Sequence, residues 1–140
     1  NLLPDGAHMS NLVETSNPAS GAAGTPRPVG SVLQAEGLLI GMAAIAAYTW
    51  LGASWWLFAA LILAPDLAMF GYLRGPRTGA AWYNAAHTYV APAVLGLAGC
   101  FGHLPLLLAV ALIWTAHIGL DRAMGYGLKL PDGFKRTHLG

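Results

Sequence analysis

Six ionisable or strongly polar side chains interrupt hydrophobic stretches of this sequence. They are Glu36, Asp66, Asn84, His87, His117 and Asp121. A charged side chain at the centre of a membrane helix costs roughly 2.5–3.5 kcal/mol, so such residues indicate function. Carboxylate oxygens and neutral imidazole nitrogens are ligands that zinc, manganese and iron bind in catalytic sites. These residue types therefore predict a divalent-metal site.

The spacing of these residues places them on shared helix faces. His117 and Asp121 are four residues apart, and Asn84 and His87 are three apart. Side chains at these spacings are neighbours on a helix surface. A His-x-x-x-Asp pair therefore directs two ligands at one metal ion from one helix, and other helices would supply the remaining ligands.

The predicted site draws on several segments of the chain. The predicted metal ligands are Asp66, His87, His117 and Asp121, with His138 of the C-terminal tail as a cap over the site. Glu36 and Asn84 are the predicted catalytic residues, either of which could also bind the metal, orient a ligand or act as the general base toward the attacking water. Zinc is the first choice of metal, with manganese and iron as alternatives.

Long apolar stretches must position these side chains. Of the 140 residues, 56% are hydrophobic and only 9% are charged, whereas soluble domains carry about 25% charged residues. Four stretches come close to the ~20 residues that a helix needs to cross a bilayer core. These predicted spans cover residues 32–51, 54–73, 79–101 and 104–127. Because their connections are short, we predict an all-α integral membrane four-helix bundle with up-down-up-down topology.

The positive charges predict how this bundle is oriented. All seven Lys and Arg residues fall on the side of the predicted bundle that holds both termini. They are Arg27, Arg74, Arg77, Arg122, Lys129, Lys135 and Arg136. The positive-inside rule then places both termini in the cytoplasm. At a rise of 1.5 Å per residue, the polar side chains would lie roughly 6–15 Å below the cytoplasmic end.

Three segments are predicted to lie outside the bundle. Residues 6–9 spell Gly-Ala-His-Met, which is typical of a cloning scar, so we interpret residues 1–9 as an expression remnant. Residues 10–31 are rich in Ser, Asn, Ala, Gly and Pro without a helical period, which predicts a disordered leader. Residues 128–140 are predicted to form a cytoplasmic C-terminal tail.

Charge and cysteine content exclude several classes of function. A formal net charge of +1 provides no basic face for nucleic acid. Cys100 is the single cysteine, which excludes an internal disulfide and a multi-cysteine zinc site. The expected partners are the lipid bilayer and a lipid-like substrate, and the sequence leaves a homo-oligomer open.

Several motifs resemble a known protein family. They are Ala64-Pro65-Asp66-Leu67, the segment from Tyr83 to Tyr89, the segment from His117 to Arg122, the segment from Gly125 to Lys129, and the closing segment from Phe134 to Gly140. From Glu36 to Gly140 the chain resembles a family of small bacterial membrane proteins known only as a domain of unknown function. That resemblance implies a multi-pass protein of the bacterial inner (plasma) membrane, and it implies no activity.

A more distant likeness concerns the order of the motifs. Pro-Asp, then a His beside a Thr, then His-x-x-x-Asp followed by Tyr-Gly is similar to membrane-bound metal-dependent hydrolases related to zinc phospholipases C. This resemblance implies metal binding by Asp66, His87, His117 and Asp121, and hydrolysis of an ester or phosphoester in a lipid-like substrate. The chain lacks the usual His-Arg pair, and Thr88 follows its His instead of preceding it. One metal ion is therefore expected rather than two or three.

Two other classes of function remain open from the sequence. Intramembrane acids and histidines also mark ion and proton paths, so a small ion, proton or solute transporter is one alternative. A haem-binding or partner-binding bundle with His87 and His117 as axial ligands is another. A single His–Asp pair could also be only a hydrogen bond between helices, which averages about 0.6 kcal/mol in membranes.

Overall fold

The computed structural model describes residues 27–131, Thr137 and Leu139. This part of the chain contains α1 (Arg27–Leu51), α2 (Trp55–Leu61), a 3-10 helix (Ala64–Arg74), α3 (Pro76–Ala86), α4 (Val90–Phe101) and α5 (Pro105–Ala123). It contains no β-strand, and its isolated β-bridge joins Lys129 to Thr137. The predicted all-α class is confirmed for the described residues.

Three helical segments are long and apolar enough to cross a membrane. They are Pro28–Leu51, Trp55–Arg74 and Pro105–Ala123. Large apolar side chains are exposed on their surfaces, as at Leu39 and Leu67, which are 71% and 63% exposed. A surface of this kind suits lipid rather than water. The protein is therefore membrane-associated by the length and composition of its helices.

The third predicted span is two helices rather than one. α3 ends at Ala86 and α4 begins at Val90, and the two have 11 and 12 residues. The break precedes the buried Pro92. Proline has no amide hydrogen, and its ring clashes with the carbonyl four residues earlier, so a continuous helix ends before it. The prediction of one helix over residues 79–101 is corrected accordingly.

A second proline divides the second predicted span. α2 ends at Leu61, and the 3-10 helix begins at Ala64 with Pro65 in its first turn. The Pro65 ring would meet the Leu61 carbonyl in a continuous α-helix. The tighter 3-10 winding begins here instead, and it places Asp66 in the first turn, where the Asp66 N–H bonds the Leu63 carbonyl at 3.1 Å.

The outer helices also have different ends from those predicted. α1 begins at Arg27, five residues before the predicted start at Val32, within the segment predicted as a disordered leader. α5 ends at Ala123 rather than Gly127 because Gly125 adopts a φ of +87°. The N–H of the next residue, Tyr126, then bonds the Asp121 carbonyl at 2.9 Å, which is the hydrogen bond of a Schellman helix end.

α5 is the central helix of the described structure. It packs against both α1 and α4, while α3 packs against the 3-10 helix. Three glycines allow the closest approach, Gly37 and Gly41 of α1 and Gly119 of α5. A Cβ atom on Gly119 would lie 2.6 Å from the Gly41 Cα and 2.7 Å from the Gly37 carbonyl oxygen. Small residues at such crossings let membrane helices pack backbone to backbone.

Replacing Gly119 by alanine tests this crossing. We expect Gly119→Ala to lower stability by roughly 1–3 kcal/mol, because the added methyl group meets backbone atoms that cannot rotate away. Thermal unfolding in detergent measures the change. Gly96→Ala in α4 is the matched control, since its Cβ would meet only the Ala111 Cβ at 3.5 Å. Equal unfolding temperatures for the two variants would show that the α1–α5 crossing is not tightly packed.

Candidate metal centre

Four side chains from three segments of the chain converge on one point. Asp66 comes from the 3-10 helix, His87 from the α3–α4 break, and His117 and Asp121 from α5. Each offers one ligand atom, and these four atoms all lie within 4.8 Å of one another. The structure therefore brings together four of the five predicted metal ligands, which we call the His–Asp cluster.

The separations within the His–Asp cluster are nearly uniform. The two imidazole Nε2 atoms are 3.2 Å apart. The His87 Nε2 lies 3.5 Å from the Asp66 Oδ1 and 3.4 Å from the Asp121 Oδ2. The His117 Nε2 lies 3.5 Å and 3.6 Å from the same two oxygens. Each nitrogen is thus about equally far from the other three ligand atoms.

These separations suit one tetrahedral metal ion. Zinc binds imidazole nitrogen at roughly 2.0–2.1 Å and carboxylate oxygen at roughly 2.0–2.2 Å, so neighbouring ligand atoms of a tetrahedron are roughly 3.3–3.6 Å apart. The five separations above span 3.2–3.6 Å. The sixth separation, between the two carboxylate oxygens, is no more than 4.8 Å, so the four atoms could surround one ion of this size once the carboxylates adjust.

A hydrogen bond orients the His87 ring for ligation. The His87 Nδ1 lies 2.9 Å from the Tyr83 carbonyl oxygen. A carbonyl only accepts hydrogen bonds, so the Nδ1–H donates and the Nε2 presents its lone pair to the cluster. The ring also stacks on the Tyr83 ring, with centroids 3.8 Å apart and planes 10° apart. Both contacts hold the Nε2 toward the ligand atoms, as partners of metal-binding histidines do.

α5 side chains satisfy the backbone at the break that carries His87. The Trp114 indole N–H donates to the Ala86 carbonyl at 2.7 Å, and the Arg122 Nη2 lies 3.5 Å from the His87 carbonyl oxygen. A helix end leaves carbonyls without intrahelical partners, and burial of such groups requires other donors. The helix that supplies two ligands therefore also supports the break that supplies a third.

The cluster lies close to one end of the bundle. Because α5 ends at Ala123, Asp121 and His117 lie roughly 3 Å and 9 Å from its end at 1.5 Å per residue. Asp66 lies eight residues before the end of the 3-10 helix at Arg74. The two imidazoles are only 4% and 5% exposed, whereas the Asp66 side chain is 38% exposed. The cluster is open on its Asp66 side.

Asn84 has a different place from the one predicted. Its Nδ2 donates to the Lys129 carbonyl at 2.8 Å, and its Oδ1 accepts from the Lys129 N–H at 2.6 Å. This pair of hydrogen bonds holds residues 127–130 against α3. Both polar atoms of Asn84 are thus engaged with the backbone of Lys129, so in this structure Asn84 positions the tail.

The remaining predicted residues are not part of the cluster. Glu36 is exposed on α1, because its neighbour Gly37 faces α5, with a Cβ there falling 2.6 Å from the Arg122 Cβ. Successive helix residues point about 100° apart, so Glu36 points away from α5. It is not among the grouped ligands, which removes the basis for its predicted role as base. His138 lies outside the described residues.

The cluster opens into a cavity of about 540 Å³. Its wall includes three cluster residues, Asp66, His117 and Asp121, and eight others, Ile62, Leu63, Met69, Tyr83, Leu120, Met124, Tyr126 and Lys129. Most of the others are apolar, so the polar groups form a patch in an apolar wall. Ligand sites of proteins commonly have this composition and a volume of roughly 300–1,000 Å³.

Lys129 is a cavity residue that the sequence interpretation missed. Its Nζ lies 5.1 Å from the centroid of the Tyr83 ring, and the residue is 8% exposed. Burial lowers the pKa of Lys129, and the negative charge of Asp121 acts in the opposite direction. The segment from Gly125 to Lys129 is part of the family resemblance. Lys129 itself was used only as one of the positive charges that predict the orientation of the bundle. Its position over the cavity depends on the Asn84 hydrogen bonds.

The predicted pair of axial haem ligands does not match this geometry. Ligands on opposite faces of one iron are separated by twice the metal–nitrogen bond, roughly 4 Å. The His87 and His117 Nε2 atoms are 3.2 Å apart, and two carboxylate oxygens lie within 3.6 Å of them. A porphyrin ring has no room between these atoms as the structure places them.

The fold and the site define a small all-α, membrane-associated protein with a buried His–Asp cluster that could hold a metal ion. The chain belongs to the family described as "Domain of unknown function (DUF4260)", whose model matches residues 30–140. The family resemblance expected from the motifs is thereby confirmed at that level. No curated protein and no solved structure shows a significant match to the chain.

Metal analysis of the detergent-purified protein tests the cluster. We expect about one zinc, manganese or iron ion per chain by plasma mass spectrometry, and loss of that ion in His117→Ala, because a nitrogen ligand is removed. His103→Ala is the matched control, since His103 is exposed in the α4–α5 connection. Equal metal content in the two variants after reconstitution would contradict metal binding by the cluster.

Amide exchange tests the position of Asn84. In Asn84→Ala the Lys129 amide loses its acceptor, so we expect its hydrogen exchange to accelerate at least about tenfold, in proportion to more than 1.4 kcal/mol of lost protection. Metal content should stay at the wild-type level, because the four cluster residues are unchanged. Loss of metal without faster exchange would make Asn84 a ligand after all.

Proposed function

We propose that this protein is an integral membrane hydrolase with one divalent metal ion bound by Asp66, His87, His117 and Asp121. It would cleave an ester or phosphoester bond in a lipid-like substrate. The observation that carries the proposal is the cluster of four ligand atoms at the wall of the 540 Å³ cavity. The membrane-spanning length of three helices supports a substrate drawn from the bilayer.

The lining of the cavity favours an amphiphilic substrate. Apolar side chains such as Leu63, Met69 and Met124 face the same space as the cluster. A substrate with an apolar part and a polar, hydrolysable bond would satisfy both surfaces. The ammonium group of Lys129 lines that space too, and a cation there favours an anionic group. A phosphoester is therefore preferred to a neutral ester.

The proposed reaction is hydrolysis, in which water adds to the carbonyl carbon of an ester or to the phosphorus of a phosphoester. A divalent metal ion supplies Lewis acidity and lowers the pKa of water to about 7. The water oxygen forms the new bond, the ester oxygen leaves as an alcohol, and the proton of the water passes to that oxygen. With four residues holding the ion, water would have to join as a fifth ligand, an expansion that catalytic zinc sites allow, and it would enter on the side of Asp66, the most exposed of the four side chains.

Two further side chains are placed to assist this reaction. The Tyr83 hydroxyl interacts with the Asp121 carboxylate, which would hold that ligand in place, as outer partners of metal ligands do. The Lys129 ammonium would offset negative charge that develops on the substrate during attack. Glu36 is exposed and is not grouped with the cluster residues, so the proposed mechanism gives it no role.

The proposal includes a location and an orientation. The protein would be a multi-pass protein of a bacterial inner membrane with both termini in the cytoplasm, as the positive-inside rule predicts from the sequence positions of its Lys and Arg residues. The split pair α3 and α4 would then form the third of four crossings. Irregular backbone at membrane depth is tolerated where protein surrounds it or where it lines a cavity, and His87 at the break is buried by protein.

Turnover of defined lipids tests the reaction. Vesicles of phosphatidylglycerol and phosphatidylethanolamine containing the metal-loaded protein should release water-soluble phosphate esters, detected by liquid chromatography and mass spectrometry. We expect His117→Ala and Asp121→Asn to lose at least about 100-fold in rate, as removal of catalytic groups does. His103→Ala should keep the wild-type rate.

A second arm of this assay concerns Lys129. Lys129→Met should slow phosphoester cleavage by about 10–100-fold, roughly 1.4–2.7 kcal/mol, while Lys129→Arg keeps most of the rate because the charge remains. Turnover by His117→Ala equal to that of His103→Ala would overturn the hydrolase proposal.

Proton or ion transfer is the second candidate function. The geometry favours it in one respect, because two Nε2 atoms 3.2 Å apart between two carboxylates could share a proton. Such groups are used in proton relays of pumps and transporters. Flux across proteoliposomes that stops in Asp66→Asn, without lipid turnover in the wild type, would favour transport over hydrolysis.

A further inference from the structure

A second cavity, of about 330 Å³, lies beside the His–Asp cluster. It is lined by Leu61, Ala64, Pro65, Ala68, Ala86, Val110, Ile113 and Trp114. All these side chains are apolar except for the indole N–H of Trp114, and that group already donates to the Ala86 carbonyl at 2.7 Å. We call this space the apolar cavity.

Water is a poor occupant of the apolar cavity. An internal water needs two to four polar partners, and an apolar cavity of roughly 150 Å³ stays dry and takes apolar ligands instead. The cavity lies between the second membrane-spanning segment and α5. In a bilayer the surrounding medium is the acyl chains of lipids, so hydrocarbon is the component at hand to fill it.

The position of the cavity along α5 matches an extended lipid. Val110 and Ile113 precede His117 by seven and four residues, so they lie roughly 10 Å and 6 Å further from the end of α5 at 1.5 Å per residue. The side of the cluster that faces Lys129 lies toward the C-terminal end of α5. A molecule whose polar group reaches the cluster would thus extend its chain toward the apolar cavity and the bilayer centre.

The apolar cavity and the cluster share a wall. Pro65 and Ala86 line the cavity, and their neighbours in sequence, Asp66 and His87, are two of the cluster residues. Trp114 lines the cavity one helical turn before His117. A chain seated in the cavity would therefore lie against the same backbone segments that carry the ligands.

We propose that the apolar cavity binds one acyl chain of a bilayer lipid and aligns the lipid's polar linkage with the His–Asp cluster. At roughly 30 Å³ per packed group, the share of liquid volume of a water molecule, 330 Å³ holds about ten carbons. The cavity would bind the first part of a chain and leave the remainder in the bilayer. The role of this chain as part of a substrate rests on the proposed function, whereas its binding does not.

Photochemical labelling tests chain binding directly. The probe is phosphatidylglycerol with a diazirine at carbon 6, carbon 10 or carbon 15 of one acyl chain, in nanodiscs that contain the full chain. Mass spectrometry locates the adducts. We expect the carbon-6 and carbon-10 probes to label residues 61–68 and 110–114 at least tenfold more than residues 94–101, whose Val94 and Leu97 are lipid-exposed. The carbon-15 probe should lose this preference.

Filling the cavity provides the matched comparison. Ala68→Phe places a ring in the space that Ala68 lines, and it should lower the adducts on residues 110–114 at least fivefold. Ala59→Phe is the control, because Ala59 is exposed on α2 and does not line the cavity. A thermal unfolding transition in detergent at the wild-type temperature verifies that each variant is folded. Even labelling of all lipid-exposed segments by all three probes in the wild type would overturn the proposal, whatever the variants do.

Metal-free protein separates this proposal from the proposed function. The labelling pattern should persist in His117→Ala, because chain binding depends on the cavity and not on the ion. Wild-type protein that shows the pattern without cleaving lipids would retain the acyl-chain site and contradict the hydrolase. Lipid cleavage without the labelling pattern would support the hydrolase and contradict the acyl-chain site.

Discussion

Two imidazole nitrogens and two carboxylate oxygens converge in this protein, and each nitrogen lies 3.2–3.6 Å from the other three atoms. The imidazoles are buried, while Asp66 lies at the exposed edge of the cluster. Because Nδ1–H of His87 donates to the Tyr83 carbonyl, its Nε2 lone pair joins the carboxylates in a set of acceptors. Two carboxylate charges removed from water cost several kcal/mol each unless a cation or hydrogen bonds compensate them. A positive charge among these atoms, from a metal ion or from protons, is the condition on which the rest of the arrangement depends.

Two of the four cluster residues, Asp66 and His87, lie where α-helices are interrupted rather than within regular α-helices. Pro65 ends α2 and introduces the 3-10 turn of Asp66, and Pro92 separates α4 from α3 at His87. Each break leaves backbone groups that membrane-embedded structure must satisfy internally. The Trp114 indole does so for the Ala86 carbonyl. The same features that would weaken a simple bundle thus form the ligand site and the walls of both cavities.

α5 packs against neighbouring helices and also carries two residues of the cluster. Its Gly119 face touches the α1 backbone, while His117 and Asp121 face the cluster and Trp114 supports the α3–α4 break. Its Schellman end at Gly125 turns the chain so that Asn84 can hold the Lys129 backbone. A displacement of α5 would move two ligands, the supporting Trp114 and the Lys129 side chain together. Helix packing is therefore coupled to the geometry of the cluster.

The sequence by itself determined the all-α class, the membrane-spanning length of three segments and the four residues of the cluster, because hydropathy and residue chemistry are local properties. The i, i+4 spacing of His117 and Asp121 was enough to predict their shared face. The tertiary structure alone decided that Glu36 points away, that Asn84 holds the tail and that Lys129 lines the cavity. Those outcomes depend on how α1, α3 and residues 127–130 rotate and pack, and a glycine contact or a backbone hydrogen bond between segments distant in sequence has no local signature.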